Sequence, residues 1–408
     1  MPQGWREIPL GEVCETPVSG YSPVGADRPA KDDELGVLKL NCIQENRFSP
    51  DKNKAVAGSK INDLKTPVSK NTLIVSRSNT EELVGAVCYV EHDIPNLFLS
   101  DLLWRISAKD EKKVDLKWLS YLLSFSPYRA KILSRANGSS ETMKKITKDG
   151  FLGIRILFPR IEEQKKIAQI ISTWDIAADQ TRKLIAAKRK NKKALLQQLL
   201  MGRTGRTGNR LPKGENDFVP PDWKCLQVKE LFQTRSKKKC GDEPVLSVTQ
   251  DLGIVLRETY ARRIDCQTKD LSTFKLVEPG DFVISLRSFQ GGIEYSNLKG
   301  IVSPAYHVFR PIREIDCMYY KYLFKSQDFI NYLAIAVVGI RDGKQVSFRD
   351  FSCLYLPYPP INEQRVIGNV LLSIDNEIAV LEKKLGNIEK QKRGLMQKLL
   401  SGEVRVKI

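Results

Sequence analysis

The chain contains one segment twice, at a fixed step. Residues 159–203 read PRIEEQKKIAQIISTWDIAADQTRKLIAAKRKNKKALLQQLLMGR, and residues 359–403 read PPINEQRVIGNVLLSIDNEIAVLEKKLGNIEKQKRGLMQKLLSGE. Pro159/Pro359, Ile161/Ile361, Glu163/Glu363, Gln164/Gln364, Asp175/Asp375, Leu199/Leu399 and Gly202/Gly402 all match, 200 positions apart and without a gap. An internal repeat of this kind fixes the organisation of a fold before any local reading begins.

The regions before each copy correspond more loosely. Trp5 opens WREIPLGEV and Trp223 opens WKCLQVKEL; Leu73-Ile74-Val75-Ser76-Arg77-Ser78 is echoed by Phe282-Val283-Ile284-Ser285-Leu286-Arg287-Ser288. Two units of shared fold have diverged inside, while the segments that follow them have not.

In the second copy Ile367, Leu371, Ile374, Ile378, Leu381, Leu385, Ile388, Lys392, Leu395 and Leu399 alternate in steps of four and three. That is the a/d heptad of a left-handed coiled coil. The first copy carries Ile167, Ile171, Trp174, Ala178, Thr181, Ile185, Lys188, Lys192, Leu195 and Leu199 on the same seam. Prolines 159 and 360 start the helices and Gly202 and Gly402 end them. Each rod should be ~57 Å long. Two arms that each pair with another protein would satisfy the heptads alone; pairing with each other, antiparallel, also explains the repeat. Lys188, Lys192 and Lys392 should then splay the seam or admit water.

The units themselves, of about 150 and 135 residues, read as α+β. Strands are expected at Val37 to Leu40, Leu73 to Ser76, Leu83 to Val90, Val245 to Val248, Phe282 to Leu286 and Tyr306 to Phe309. Helices are expected at Leu116 to Phe125, Pro127 to Leu133, Met318 to Phe324 and Gln327 to Ala336.

Charge narrows the function. Sixty-six Lys and Arg against 48 Asp and Glu give +18, which favours a polyanionic partner. No apolar run approaches the ~18 residues of a membrane span. The N-terminus lacks a signal peptide, and eight cysteines contain no CxxC pair, so a reduced cytoplasmic protein is expected. Groups able to read base edges lie in the polar loops. In the first unit they are Asn41, Gln44, Arg77, Ser78 and Asn79, with Ser139 and Ser140. In the second they are Thr249, Gln250, Arg287, Ser288, Gln290 and Arg341, with Lys237, Lys238 and Lys239 placed for phosphates. For each position taken singly an ordinary solvated loop residue is the simpler explanation; the Arg77 and Arg287 loops stand out because they recur.

Enzymatic readings are weaker. Tyr358-Pro359-Pro360-Ile361 lacks the amide and the aromatic of an amino-methylase motif, and Gly339 to Gln345 falls short of a P-loop. Asp51, Asp63 and Lys65 have a nuclease-like spacing that is cheap in so charged a chain. His92 and His307, far apart in the chain, read as structural.

With these residues assembled, the chain resembles the specificity subunit of Type I restriction–modification enzymes over its whole length. The resemblance is carried by Trp5 and Trp223, by the Pro-x-Ile-x-Glu-Gln-x-x-Ile junctions at 159–167 and 359–367, and by Leu-Leu-x-Gly at 199–202 and 399–402. It implies target-recognition domains at 1–158 and 204–358 (the latter opening with a linker, 204–222), a central helix at 159–203 and a C-terminal helix at 359–408. The fold class it implies is α+β, with two similar domains, an antiparallel coiled coil and a pseudo-twofold frame.

The implied role is non-catalytic: each domain reads one half of an asymmetric bipartite site on double-stranded DNA, and the coiled coil sets the spacer. Two methylase (modification) subunits would dock, restriction-translocase subunits could join, and no membrane is involved. This chain would bind no cofactor; S-adenosylmethionine, and ATP with Mg for restriction, would belong to the partners. A standalone DNA-binding scaffold or regulator is the alternative. The tandem Gly-Arg-Thr at 202–208 is either a flexible basic linker or an element that tunes the spacer.

Overall fold

The computed structural model describes residues 2–44, 46–56, 62–138, 143–200, 220–238, 240–249, 252–259, 271–284, 293–337 and 348–408. It divides into two compact units, Met1–Thr181 with Lys384–Ile408, and Arg182–Lys383.

In the first unit, Arg6–Pro9 pairs antiparallel with Arg155–Phe158, so the start of the recognition domain is tied to its end. One four-stranded sheet orders Val87–Val90, Thr72–Ser76, Leu103–Ile106 and Val18–Ser19; a second orders Asn53–Ala55, Gly36–Leu38, Ile94–Phe98 and Pro67–Val68. Between them lies a core of Leu38, Cys42, Val68, Ile74, Cys88 and Leu97. Helices α1 (Leu116–Ser124), α2 (Ser126–Leu133) and α3 (Lys148–Leu152) complete the α+β domain. The strand expected from Leu83 starts only at Val87, because Gly85 makes a tight turn at φ +70° and donates its N–H to Ser76. A side chain at Gly85 would place its Cβ 2.2 Å from Ile132.

The second unit repeats the plan. Lys224–Gln227 pairs with Tyr355–Tyr358, and a sheet orders Phe232–Arg235, His307–Pro311, Phe282–Ile284 and Ile293–Tyr295. Its helices are α5 (Val228–Leu231), α6 (Cys317–Lys325), α7 (Gln327–Val337) and α8 (Phe348–Ser352). Phe232 is the hub of the core, meeting Phe282, Phe309 and Tyr320 edge-on at 5.4 to 5.6 Å. Each such buried ring contributes roughly 1.5–3 kcal/mol of transfer free energy.

Both long helices run 40 residues: α4 (Ile161–Leu200) and α9 (Ile361–Leu400). Each unit contains a part of both, and within each unit the two parts run antiparallel. In the first, Leu399 and Leu400 share a core with Ile167 and Ile171, while Lys392 reaches Asp175. In the second, Leu200 shares a core with Ile367 and Leu371, while Lys192 reaches Asp375. The heptad expectation holds along α9: Ile367, Leu371, Ile374, Ile378, Ile388 and Leu399 are buried.

A carboxylate meets each seam lysine, Lys192 with Asp375 at 2.5 Å, Lys188 with Glu377 at 2.5 Å and Lys392 with Asp175 at 2.6 Å, and the lysine side chains remain 24%, 35% and 18% exposed, so they stay partly open to solvent. Ile170, beside the seam, is partly buried against the first core. Gly402 closes α9 at φ +73°, and the Gly202 counterpart lies outside the described residues.

Candidate nucleic-acid interface and its repeated frame

The junction motif is a set of polar anchors. Glu163, only 2% exposed, accepts from the Trp5 indole at 3.0 Å, and Glu363 accepts from the Trp223 indole at 2.9 Å. Gln164 follows: its oxygen accepts from the Asp115 N–H at 2.8 Å and its amide donates to Pro159 O at 2.9 Å. Gln364 repeats this with Asp316 N–H at 2.9 Å and Pro359 O at 2.8 Å. Asp115 and Asp316 are themselves the caps of α1 and α6, accepting from Trp118 and Tyr319. Glu-Gln thus locks the recognition domain onto the long helix at both copies, and the sequence identity there is architectural.

A second repeated set lies on the seam. Tyr121 donates to Asp175 and Tyr322 to Asp375, both at 2.7 Å. The Lys392 and Lys192 ammonium groups lie 5.4 and 5.1 Å from those rings. Burial first, and the adjacent carboxylate second, hold both phenols well above their ordinary range, so they remain donors. Among the described residues the Arg405 contact is found in the first copy alone. Arg405 forks onto Glu163 at 2.6 and 2.8 Å and donates to Gln3 O, fastening the C-terminal tail to the N-terminal segment.

Of the expected base readers, Asn41 and Gln44 are exposed, the first in the 3-10 turn Leu40–Cys42 and the second on the short strand Ile43–Gln44. Arg77 is half-buried. Ser78 and Asn79 are buried, and the Asn79 amide is spent on Ser76 Oγ at 3.1 Å and the Thr80 N–H at 2.8 Å. Both residues lie inside a short two-stranded sheet, where they pair with Lys144–Lys145. The Thr249 hydroxyl closes its own hairpin, donating to Gly253 O at 2.9 Å. Lys237 and Lys238 are exposed. Lys239, Gln250, Arg287, Ser288, Gln290, Arg341, Ser139, Ser140 and the Gly-Arg-Thr tandem lie outside the described residues. Lys144 and Lys145 were not singled out by sequence, since only strand pairing across 65 residues brings them to the Arg77 loop.

The other expectations fall as follows. Asp63 and Lys65 line a depression with Ser19, Gly20, Tyr21 and Thr66, whereas Asp51 is exposed and paired with Lys52 at 2.7 Å. His92, expected to be structural, is exposed in the turn after Val87–Val90. His307 is partly buried, and burial with the nearby Lys275 charge lowers its pKa. Among the described residues no three His, Cys, Asp or Glu side chains gather as a metal site, and no helix is long and apolar enough to cross a membrane.

Comparison with known proteins gives one answer. The family model described as the Type I restriction modification DNA specificity domain matches residues 2–188 and again 220–390. The MjaVIII specificity subunit of a Type I restriction enzyme from Methanocaldococcus jannaschii is 28% identical over 325 residues, 76% of this chain and 75% of that protein. The EcoKI specificity subunit of Escherichia coli is 21% identical over 98% of this chain and 88% of its own length. The crystal structure of the Type I restriction–modification S subunit from M. genitalium has the same fold, with a TM-score of 0.60 and 16% identity over 97% of this chain and 96% of that one. Two matches of one domain, on a frame whose Trp–Glu, Gln and Tyr–Asp–Lys contacts recur in both copies, place this chain in the Type I restriction–modification DNA specificity family.

Proposed function

We propose that the chain directs a Type I restriction–modification complex to its DNA sequence, the first recognition domain reading one half of an asymmetric bipartite site and the second the other half. The observation that carries this reading is the identical set of anchors, Trp5–Glu163 with Tyr121–Asp175 and Trp223–Glu363 with Tyr322–Asp375, around domains of divergent sequence. A shared frame with dissimilar readers suits a site whose halves differ.

In this reading two methylase subunits bind the repeated frame, restriction-translocase subunits can join them, and the paired helices set the spacer between half-sites. Outward apolar residues on those helices, Ile176, Leu184, Val366 and Val380, support a partner there. The chain works in the cytoplasm, where the DNA is. S-adenosylmethionine belongs to the methylase partners, and ATP and Mg to the restriction subunits; this chain binds, orients and spaces.

The test is expression with its methylase subunits, followed by mapping of methylated adenines. A two-part motif with a fixed gap is expected, and replacing residues 1–158 with the matching domain of a relative should change one half only. Methylation at no fixed motif, or both halves changing together, overturns the reading. DNA binding by the chain without any methylase association would favour a standalone regulator.

A further inference from the structure

Two cations that are distant in sequence meet in the first unit. Ser78 and Asn79 pair antiparallel with Lys145 and Lys144, and the Ile146 N–H donates to Arg77 O at 3.0 Å, carrying the pairing one residue further. Lys144 is therefore the diagonal neighbour of Arg77 on one face of the ladder, a spacing of about 7–8 Å between such positions. The Arg77 main chain is held from the other side as well, its N–H donating to Leu102 O at 3.0 Å.

The Arg77 side chain has no acceptor among the described residues, and its Nε is sealed from solvent. The neighbouring half-buried Arg129 shows the contrast, since it donates to Val84 O at 3.0 Å and Glu82 O at 2.9 Å. Lys144 makes one neutral contact, to Gly138 O at 3.2 Å. A half-desolvated guanidinium without a counter-ion is costly unless an anion arrives from outside. With Nε enclosed, the two terminal nitrogens remain to receive it.

Both cations recur in the second repeat of the sequence, as Arg287 in Leu286-Arg287-Ser288 and as Lys344 at the 200-residue step, whereas Lys145 becomes Gln345. Two domains that read different half-sites always have the sugar–phosphate backbone in common. A residue retained by both suits that common part, because phosphate contacts carry no sequence information. We propose that Arg77 and Lys144 form a clamp for a DNA phosphate in the first half-site. The inference rests on the DNA-reading role above and replaces the base-reading part expected of Arg77.

The experiment uses the chain in complex with its methylase subunits, titrated by fluorescence anisotropy against a cognate duplex and one with a scrambled first half-site over a series of KCl concentrations. Arg77→Gln and Lys144→Gln should each weaken both duplexes by the same factor. Together they should flatten the log–log salt dependence by about 0.9, the contribution of one phosphate, with the methylated motif unchanged. Arg77→Lys, which keeps the charge, should retain the wild-type slope and motif. Relaxation of one base position in the first half-site by Arg77→Lys would overturn the clamp, because only a bidentate base contact distinguishes Arg from Lys in that way. An unchanged slope in Gln variants that melt like the wild type would overturn it too. A wild-type complex that methylates no fixed motif would instead remove the specificity-subunit reading itself.

Discussion

Lys392 donates to Asp175 at 2.6 Å across 217 residues of chain, while Tyr121 takes the second oxygen of the same carboxylate. The equivalent Lys192–Asp375–Tyr322 set, at 2.5 and 2.7 Å, is the same arrangement with the helices exchanged. A lysine at a seam position is a register device: only the antiparallel alignment that brings it to the aspartate avoids a desolvated charge.

The two pairs should differ in strength. Lys392 and Asp175 side chains are 18% and 20% exposed, against 24% and 36% for Lys192 and Asp375. Asp175→Asn should cost about 1–3 kcal/mol, and Asp375→Asn about 1 kcal/mol. A double-mutant cycle with Lys392→Met, read by urea unfolding, should give a coupling that shrinks little in high salt.

Glycines of α9 should respond in opposite directions. Gly386 and Gly394 have nothing within 4 Å of where an added methyl would stand, so Gly386→Ala and Gly394→Ala should each stabilise by about 0.4–1 kcal/mol. Gly402 sits at φ +73°, and a Cβ there would stand 2.4 Å from Pro2. Gly402→Ala should destabilise by about 1–2 kcal/mol, visible as an earlier thermal transition.

Thiol labelling should separate the cysteines. Burial pushes Cys14 and Cys42 up to about 12 and Cys88 well above its ordinary value, whereas Cys353 is exposed. Iodoacetamide at pH 8 should modify Cys353 in the folded protein and reach Cys14, Cys42 and Cys88 only on unfolding, as peptide mass mapping would record.

Glu294 gives a pH dependence of defined sign. Burial raises its pKa, and the contact with Lys325 offsets only part of that rise. A carboxyl with a raised folded value binds its proton more tightly when folded. Its stabilising contribution is therefore full below the ordinary glutamate value of about 4.3 and is lost as pH rises through the raised value. Glu294→Gln should flatten this part of the stability–pH curve, measured by denaturant midpoints from pH 4 to 7.

The sequence by itself determined the repeat, the heptad seam from Ile367 to Leu399, the Glu-Gln junctions and, through them, the family. These are periodic or local signals, in which the spacing along the chain is the physical cause. Tertiary structure alone decided what meets across long separations. It gave each seam lysine a carboxylate, took Ser78 and Asn79 into the sheet by pairing them with Lys144–Lys145, and left Arg77 half-buried without a counter-ion among the described residues. Those outcomes depend on strand register and on the antiparallel sense of the helix segments within each unit; a one-residue slip of a strand would reverse which of its side chains face inward.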